Sequence, residues 1–338
     1  MKKIFVAMLA LAAATACSND ELVSVNQEAI GFDNAFINNS VRSVNDPSFK
    51  EGNMFTDFAV FGYVENAVLL DGVRVAQDVT NEDLKNSTWK YEGTQYWIAG
   101  ANYNFNAVAP KTNGGWTKTA ADATSTTLSF TNNGTTDLLY ALTTQQGKVS
   151  GNEVVDFDFR HVLSKVKFSF ENGYNATNAT IRVKDIVITN PHKTATVVLD
   201  ASTAWSNLAV ANDFTLSFGM ATDNEASTDA TENAEVAYAF GATYESQNEL
   251  FLIPSSESYA YNVTFIVELL VSNTVVATYT HTATATFAPE AGKAYDIKTV
   301  INAENIDPEH EQEPIEFSVN ALPDWGTSNG VDAVVPQN

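Results

Sequence analysis

A single cysteine, Cys17, stands in 338 residues. One thiol excludes an internal disulfide, and it excludes a zinc site built from two to four thiolates. Histidine is scarce too: His161, His192, His281 and His310 are scattered, with no HExxH-type spacing. These residues imply no cofactor and no metal. Basic side chains number 18 against 41 acidic ones, for a net charge of −23. That balance excludes a nucleic-acid partner, which requires a positive footprint to displace phosphate counterions. It also excludes adsorption to anionic lipid through basic patches. Long apolar runs are missing after residue 17.

What is present at the start of the chain is an address. Residues 1–16 carry Lys2 and Lys3, then an apolar run from Ile4 to Ala14, then small residues. Eleven apolar residues are too few to span a bilayer as a helix, and the pattern is that of a secretory signal peptide. Cys17 falls where the signal would be cut, which resembles a lipobox whose thiol is lipidated. Ala14 stands where Leu is commoner, so a soluble secreted product is the other reading. The acidic residues of Ser18-Asn19-Asp20-Glu21 resemble the surface-export signal of Bacteroidota lipoproteins. Each buried lipid methylene contributes about 0.8 kcal/mol, so stable anchoring requires more than one acyl chain.

The rest reads as strands, giving an all-β fold class. Tyr103, Phe105, Ala107 and Ala109 alternate with Asn102, Asn104, Asn106 and Val108. Val166, Phe168 and Phe170 alternate with lysines and Ser169. Tyr261 to Leu269 forms the longest apolar face. Period-2 patterning suits antiparallel sheets with one face buried. Asp71-Gly72 carries a hairpin signal. Many short strands with turn residues between them suggest β-sandwiches. The expected division is a signal peptide (1–16), a tether (17–27), a first sandwich (28–158), a second (159–302), a linker (303–314) and a C-terminal strand segment (315–338). Residues 223–235 are acidic and unpatterned, and read as a solvated loop.

No catalytic constellation stands out, and the expectation is a protein that is not an enzyme. Asp156 and Asp158 share one side of a strand in VVDFDFRH and could act as an acid/base pair or hold Ca²⁺. The plainer reading is a solvated face opposite Val155, Phe157 and Phe159. His161 reads as a strand-end residue. Trp89, Trp97 and Trp205 read as core aromatics. Trp116, in an NGGW turn, is the tryptophan expected to be most exposed and able to stack on a glycan.

The chain ends carry a mechanical hint. Ile30, Phe32 and Phe36 make an apolar face for a first strand, followed by a polar stretch containing Arg42 and Ser43. Exposed loops are where proteases nick chains. A cut after Arg42 would discard the first strand and leave a groove. At the other end Ile315, Phe317, Val319 and Ala321 alternate with polar residues, and Trp325 follows. This segment is either the last strand of its own second domain or a donor that fills the groove of the next molecule. Such head-to-tail contacts do not close, so they make filaments.

Read in order, Cys17 with SNDEL, QEAIGFDNAF, FAVFGYV, WKYEGTQYWIAGANYNFNAVAP, DLLYA, VVDFDFRHVLSKVKFSF, ELFLIPSSESYAYNVTFIV, GKAYDIKTVINA and IEFSVNALPDW resemble the fimbrillin-like surface lipoproteins of Bacteroidota. The resemblance implies two tandem transthyretin-like β-sandwich domains and export as an outer membrane lipoprotein. It implies cleavage by a trypsin-like Arg-specific protease, with Arg42 matching the cleavage position, and polymerisation by donor-strand exchange into a type V pilus. Ile315 to Val335 matches the donor end. The implied partners are other copies or related fimbrial subunits, the outer membrane through lipid on Cys17 before processing, and a host or bacterial surface ligand. The alternative is a monomeric surface lipoprotein that binds glycan or a host ligand.

Overall fold

The structure, a computed structural model, describes residues 28–37, 56–77, 89–219, 221–222, 237–310 and 312–322. The described residues contain no helix. The first strands are β1 (Phe32–Ile37), β2 (Asp57–Val64), β3 (Ala67–Gln77), β4 (Trp89–Tyr91), β5 (Asn102–Ala109), β6 (Trp116–Ala121), β7 (Thr126–Thr131), β8 (Leu139–Gln146) and β9 (Val155–His161). They are followed by β10 (Ser164–Asn172), β11 (Ala179–Ile188), β12 (His192–Leu199), β13 (Ala204–Val210), β14 (Leu216–Gly219), β15 (Ala221–Thr222) and β16 (Thr243–Ser246). The last are β17 (Leu250–Leu252), β18 (Tyr259–Val271), β19 (Thr274–Phe287), β20 (Ala294–Ile301) and β21 (Ser318–Ala321).

Seven strands form one sheet in the order β1-β9-β8-β5-β2-β3-β4. It curls around a core of its own side chains, including Phe32, Phe58, Phe105, Phe157, Phe159 and Trp97. Its outer face is buried as well. Phe61, Tyr63, Val108 and Tyr140 point into a second core with Leu128, Phe130, Val197 and Leu199. A four-stranded sheet, β13-β12-β7-β6, covers that face. Burial on both faces explains why β2 reads DFAVFGYV, nearly continuous and apolar, where a one-sided sheet would alternate. It also corrects the expected polar face of β5. Asn106 and Val108 are fully buried. Asn106 donates to the Asp122 carbonyl at 2.8 Å and accepts from the Tyr140 hydroxyl at 3.3 Å, so its amide is not an orphan.

The β12–β13 hairpin lies in the sequence range of the second sandwich, yet it pairs with β7 of the first, Thr194 to Leu199 against Thr131 to Thr126. Ala195, Val197 and Leu199 complete the outer core there. The Asp71-Gly72 pair does not make the hairpin turn. Gly72 lies inside β3 at φ 69°, and the register slips there, with Val60 facing Val73 and Phe61 facing Asp71. This is a bulge that only a residue tolerant of positive φ can occupy. A Cβ on Gly72 would sit 2.9 Å from the Phe61 ring. The turn itself falls at Glu65 and Asn66, with Glu65 at φ 53°.

The second sandwich packs the sheet β15-β16-β10-β20-β21, with β17 also on β10, against the sheet β14-β11-β18-β19. Between them lies a core that includes Phe168, Phe170, Val263, Phe265, Val267 and Ile297. β10 and β20 run parallel. Residues 303–314 have the composition of a linker, but those described, 303–310 and 312–314, form a compact crossing and not a free spacer. Ile306 is buried in the core, and its carbonyl lies 3.0 Å from His281 Nε2. The Gln312 amide closes the loop by donating to the Glu304 carbonyl at 2.8 Å.

Candidate functional site

Residues 28–37 form a clasp across the two edges of the curled sheet. The first half pairs with residues 95–97: the Ile30 amide donates to the Gln95 carbonyl at 2.8 Å, and the Trp97 amide to the Glu28 carbonyl at 3.0 Å. The second half, β1, runs parallel to β9, with Phe32 opposite Val155 and Ile37 opposite Phe159. The Val155 amide donates to the Gly31 carbonyl at 2.8 Å between the two halves. One short segment therefore satisfies backbone groups on both sides of the seam. Taking it away would leave both rows unpaired.

Side chains fix the clasp. Phe32 is 4% exposed, with ring centroids 5.2 Å from Tyr91, 5.9 Å from Phe105 and 5.9 Å from Phe157. Burying such a ring stabilises by roughly 1.5–3 kcal/mol. The Tyr91 hydroxyl donates to the Ile30 carbonyl at 2.8 Å. Glu28 accepts from the Gly151 amide at 2.8 Å, the Asn152 amide at 2.7 Å and the Asn152 side chain at 2.8 Å. Those bonds, the Asn152 amide foremost, hold its carboxyl below the usual carboxylate range. At the start of β2, Asp57 is 1% exposed. Burial pushes its carboxyl up, but Thr112 and the Arg74 guanidinium donate to it and bring it below its ordinary value.

The expected site residues are spread over two places. Ile315 is buried in the core of the second sandwich. The Phe317 ring packs against Phe168, Phe170 and Phe265 at centroid distances of 5.7, 6.5 and 6.1 Å. Val319 is half-buried against the same core, and Ala321 is exposed opposite Tyr295. In the single chain this segment is held at home, as the edge strand β21 on β20. Cys17, Arg42, Ser43 and Trp325 lie outside the described residues, as do the tether 17–27 and the acidic stretch 223–235.

The other candidates are structural in their surroundings. Asp156 is half-buried and Asp158 exposed, facing Asp33 and Phe36 across the β1–β9 ladder. No group of His, Cys, Asp or Glu that could hold a metal occurs among the described residues. His161 Nδ1 lies 2.5 Å from Asp137 Oδ2, where β9 leaves for the second sandwich. Trp116 is half-buried and not the free platform expected. Its indole N–H donates to the Pro110 carbonyl at 2.8 Å, and Lys111 Nζ sits 4.7 Å from the ring centre. Trp97 and Trp89 pack on Tyr103 and Phe58, and Trp205 on Phe130. Sequence reasoning missed residues 95–97 as the second wall of the seam, because a strand pattern does not say which edge it joins.

The described residues are all strand and loop, and the first and last of their strands both lie on sheet edges, an arrangement suited to pairing. The chain matches the fimbrillin-like family over residues 42–321, and it belongs to that family. Membership makes it a structural, non-enzymatic protein and supports an adhesion or fimbrial-subunit role at the cell surface, with other fimbrial subunits as partners. A crystal structure of a candidate cell adhesion protein from Parabacteroides distasonis aligns at a TM-score of 0.50 and 12% identity, covering 89% of this chain and 98% of that one. One from Bacteroides uniformis aligns at 0.46 and 15%, covering 89% and 99%. One from Bacteroides ovatus aligns at 0.46 and 16%, covering 88% and 98%. No curated protein matches the chain in sequence.

Proposed function

We propose that this chain is a structural subunit of a cell-surface fimbria, exported as a lipoprotein on Cys17, cut after Arg42 and polymerised by donor-strand exchange in support of adhesion. The observation that carries the reading is the clasp. Residues 28–37 lie upstream of Arg42, so one cut there separates the closing segment from the body and leaves it held by its pairings with β9 and with residues 95–97. The vacated groove would expose Phe157 and Phe105 together with the amides of Val155 and Trp97. Those groups recognise an extended apolar strand through its backbone and its alternate side chains.

The donor is the C-terminal segment 315–338, with Ile315, Phe317, Val319, Ala321 and Trp325 as its apolar side chains. Its strand β21 is stored on β20 until a neighbour offers a groove. β21 is four residues long and paired on one side, so its release breaks a short ladder. The expected division at 158/159 falls inside β9, whose Phe159 belongs to the core of the curled sheet, so the domains divide after β9, and the His192–Val210 hairpin is lent by the second to the first. Partners are further copies or related subunits, the outer membrane before processing, a trypsin-like Arg-specific protease and a surface ligand.

The test is the N-terminal residue and intact mass of the protein taken from the cell surface. A chain beginning at Ser43 without lipid is expected. A chain that begins only at acylated Cys17 would overturn the processing step and favour a monomeric binding lipoprotein. Arg42→Ala should remain folded and monomeric; filaments formed by that variant would also overturn it.

A further inference from the structure

Ten of the twelve exposed large apolar side chains among the described residues fall in two groups, one at a pole of the curled sheet and one at a pole of the second sandwich. One end is the free pole of the curled sheet. It gathers the turn after β2, the 95–101 segment and the loop before β9, with Val68, Tyr96, Ile98, Val149 and Val154 exposed. Ile98 is 56% exposed and Val149 85%. These loops surround residues 28–31, which reach the pole through Glu28 and its bonds to Gly151 and Asn152. The opposite pole of that sheet is already taken, because β9 runs there into Leu163 and β10, and Gly292 donates to the Leu163 carbonyl.

The other apolar end is the outer pole of the second sandwich. It carries Phe240, Val271, Val275, Val276 and Val300, beside the end of β10 and the tip between β18 and β19. Phe240 is 57% and Val276 56% exposed. β20 also ends here, at Ile301 opposite Asn172. The crossing 302–314 and the arm that follows are therefore rooted at this pole, and β21 runs back from it along β20.

We propose that these two poles are the two halves of one head-to-tail interface, the Phe240–Val276 pole of one copy seated on the Ile98–Val149 pole of the next. Strand polarity sets the direction. β1 runs parallel to β9, away from the free pole, so a replacement strand of the same polarity enters at that pole with its own body upstream. The C-terminal arm has its body upstream, at the pole with Phe240. A donor of opposite polarity would bring its body against the end where the second sandwich already sits. The proposal rests on the strand-exchange reading for the arm that joins the copies, and it adds the surface on which their bodies meet. Exposed apolar side chains gathered at one pole suit a contact surface, and a heterologous contact between unlike poles propagates.

The test uses the full chain with an Arg-specific protease added, and follows sedimentation. Ile98→Glu with Val149→Glu changes one pole, and Phe240→Glu with Val276→Glu the other. Each pair should slow polymer formation at least tenfold, while the cut protein still captures a synthetic 315–338 peptide as the unaltered chain does. Thermal melting of the uncut variants should be unchanged, because all four side chains are exposed. Mixing sharpens the result: the first pair should still donate to unaltered protein but fail to accept from it, and the second should accept but fail to donate. Polymerisation of both variants at the unaltered rate, with peptide capture intact, would overturn the interface and leave strand exchange standing. An unaltered chain that neither polymerises nor captures the peptide would overturn strand exchange and the interface with it.

Discussion

The first and last of the described strands both lie on sheet edges, but they are held differently. Residues 28–37 close a seam, with partners on both sides, a buried ring and a carboxylate pinned by two backbone amides. β21 is four residues on one side of β20, with its apolar grip concentrated in Ile315 and Phe317 upstream of the ladder. A two-sided segment is part of the wall and leaves a hole when lost. A one-sided edge strand is a cover that can peel away and leave the remaining sheet paired. That asymmetry suits the first to be the strand replaced and the second to be the strand supplied.

The largest expected effect is at the seam. Phe32→Ala removes a ring packed against Tyr91, Phe105 and Phe157, and large-to-small changes of this kind cost about 3–5 kcal/mol. In uncut protein, amide exchange at Trp97 and Val155 should accelerate strongly, with little change in the second sandwich. Unchanged exchange at those two amides would remove the clasp from the comparison. Phe317→Ala should cost less, about 2–3 kcal/mol, because the ring is only half-buried. Its effect should be confined to exchange at Tyr295 to Lys298 and to a lower urea midpoint of the second sandwich. A global loss of fold from this change would make β21 as much a wall as the clasp.

Much of the scaffold is legible in the pattern, and the seam is not. β5 and β18 carry the expected faces, Tyr103 to Ala109 and Tyr261 to Leu269, because each alternates strictly on a buried side. β6 and β13 pass unnoticed because they are the outer strands of the covering sheet and are exposed along most of their length. Residues 89–97 pair in two separate places: Trp89–Tyr91 meets β3, and 95–97 meets the clasp. A strand pattern names a buried face and says nothing about which edge it joins. Ala195, Val197 and Leu199 would read the same against either core, so the loan of the β12–β13 hairpin is invisible. The parallel pairing of Phe32 with Val155 is equally hidden, since residues so far apart in sequence share no turn that could set their register.

The smallest effect is also the most selective. Glu28 has its carboxyl held below the ordinary value by the amides of Asn152 and Gly151. A carboxylate depressed in the folded state contributes stability that is present above its unfolded value and is lost as pH falls through the folded one. The clasp should therefore hold at neutral pH and loosen only under acid conditions, below the usual carboxylate range. Glu28→Gln keeps the shape and two acceptor lone pairs on one oxygen but loses the charge and the second carboxylate oxygen. Exchange at Gly151 and Asn152 should rise severalfold at pH 7 and lose its acid dependence, while Phe32 keeps the ring packing and the protein stays folded. If the variant and the unaltered chain show the same pH profile at these amides, the pinning of the clasp comes from Phe32 alone, and the difference between the two chain ends reduces to a buried ring against a half-buried one.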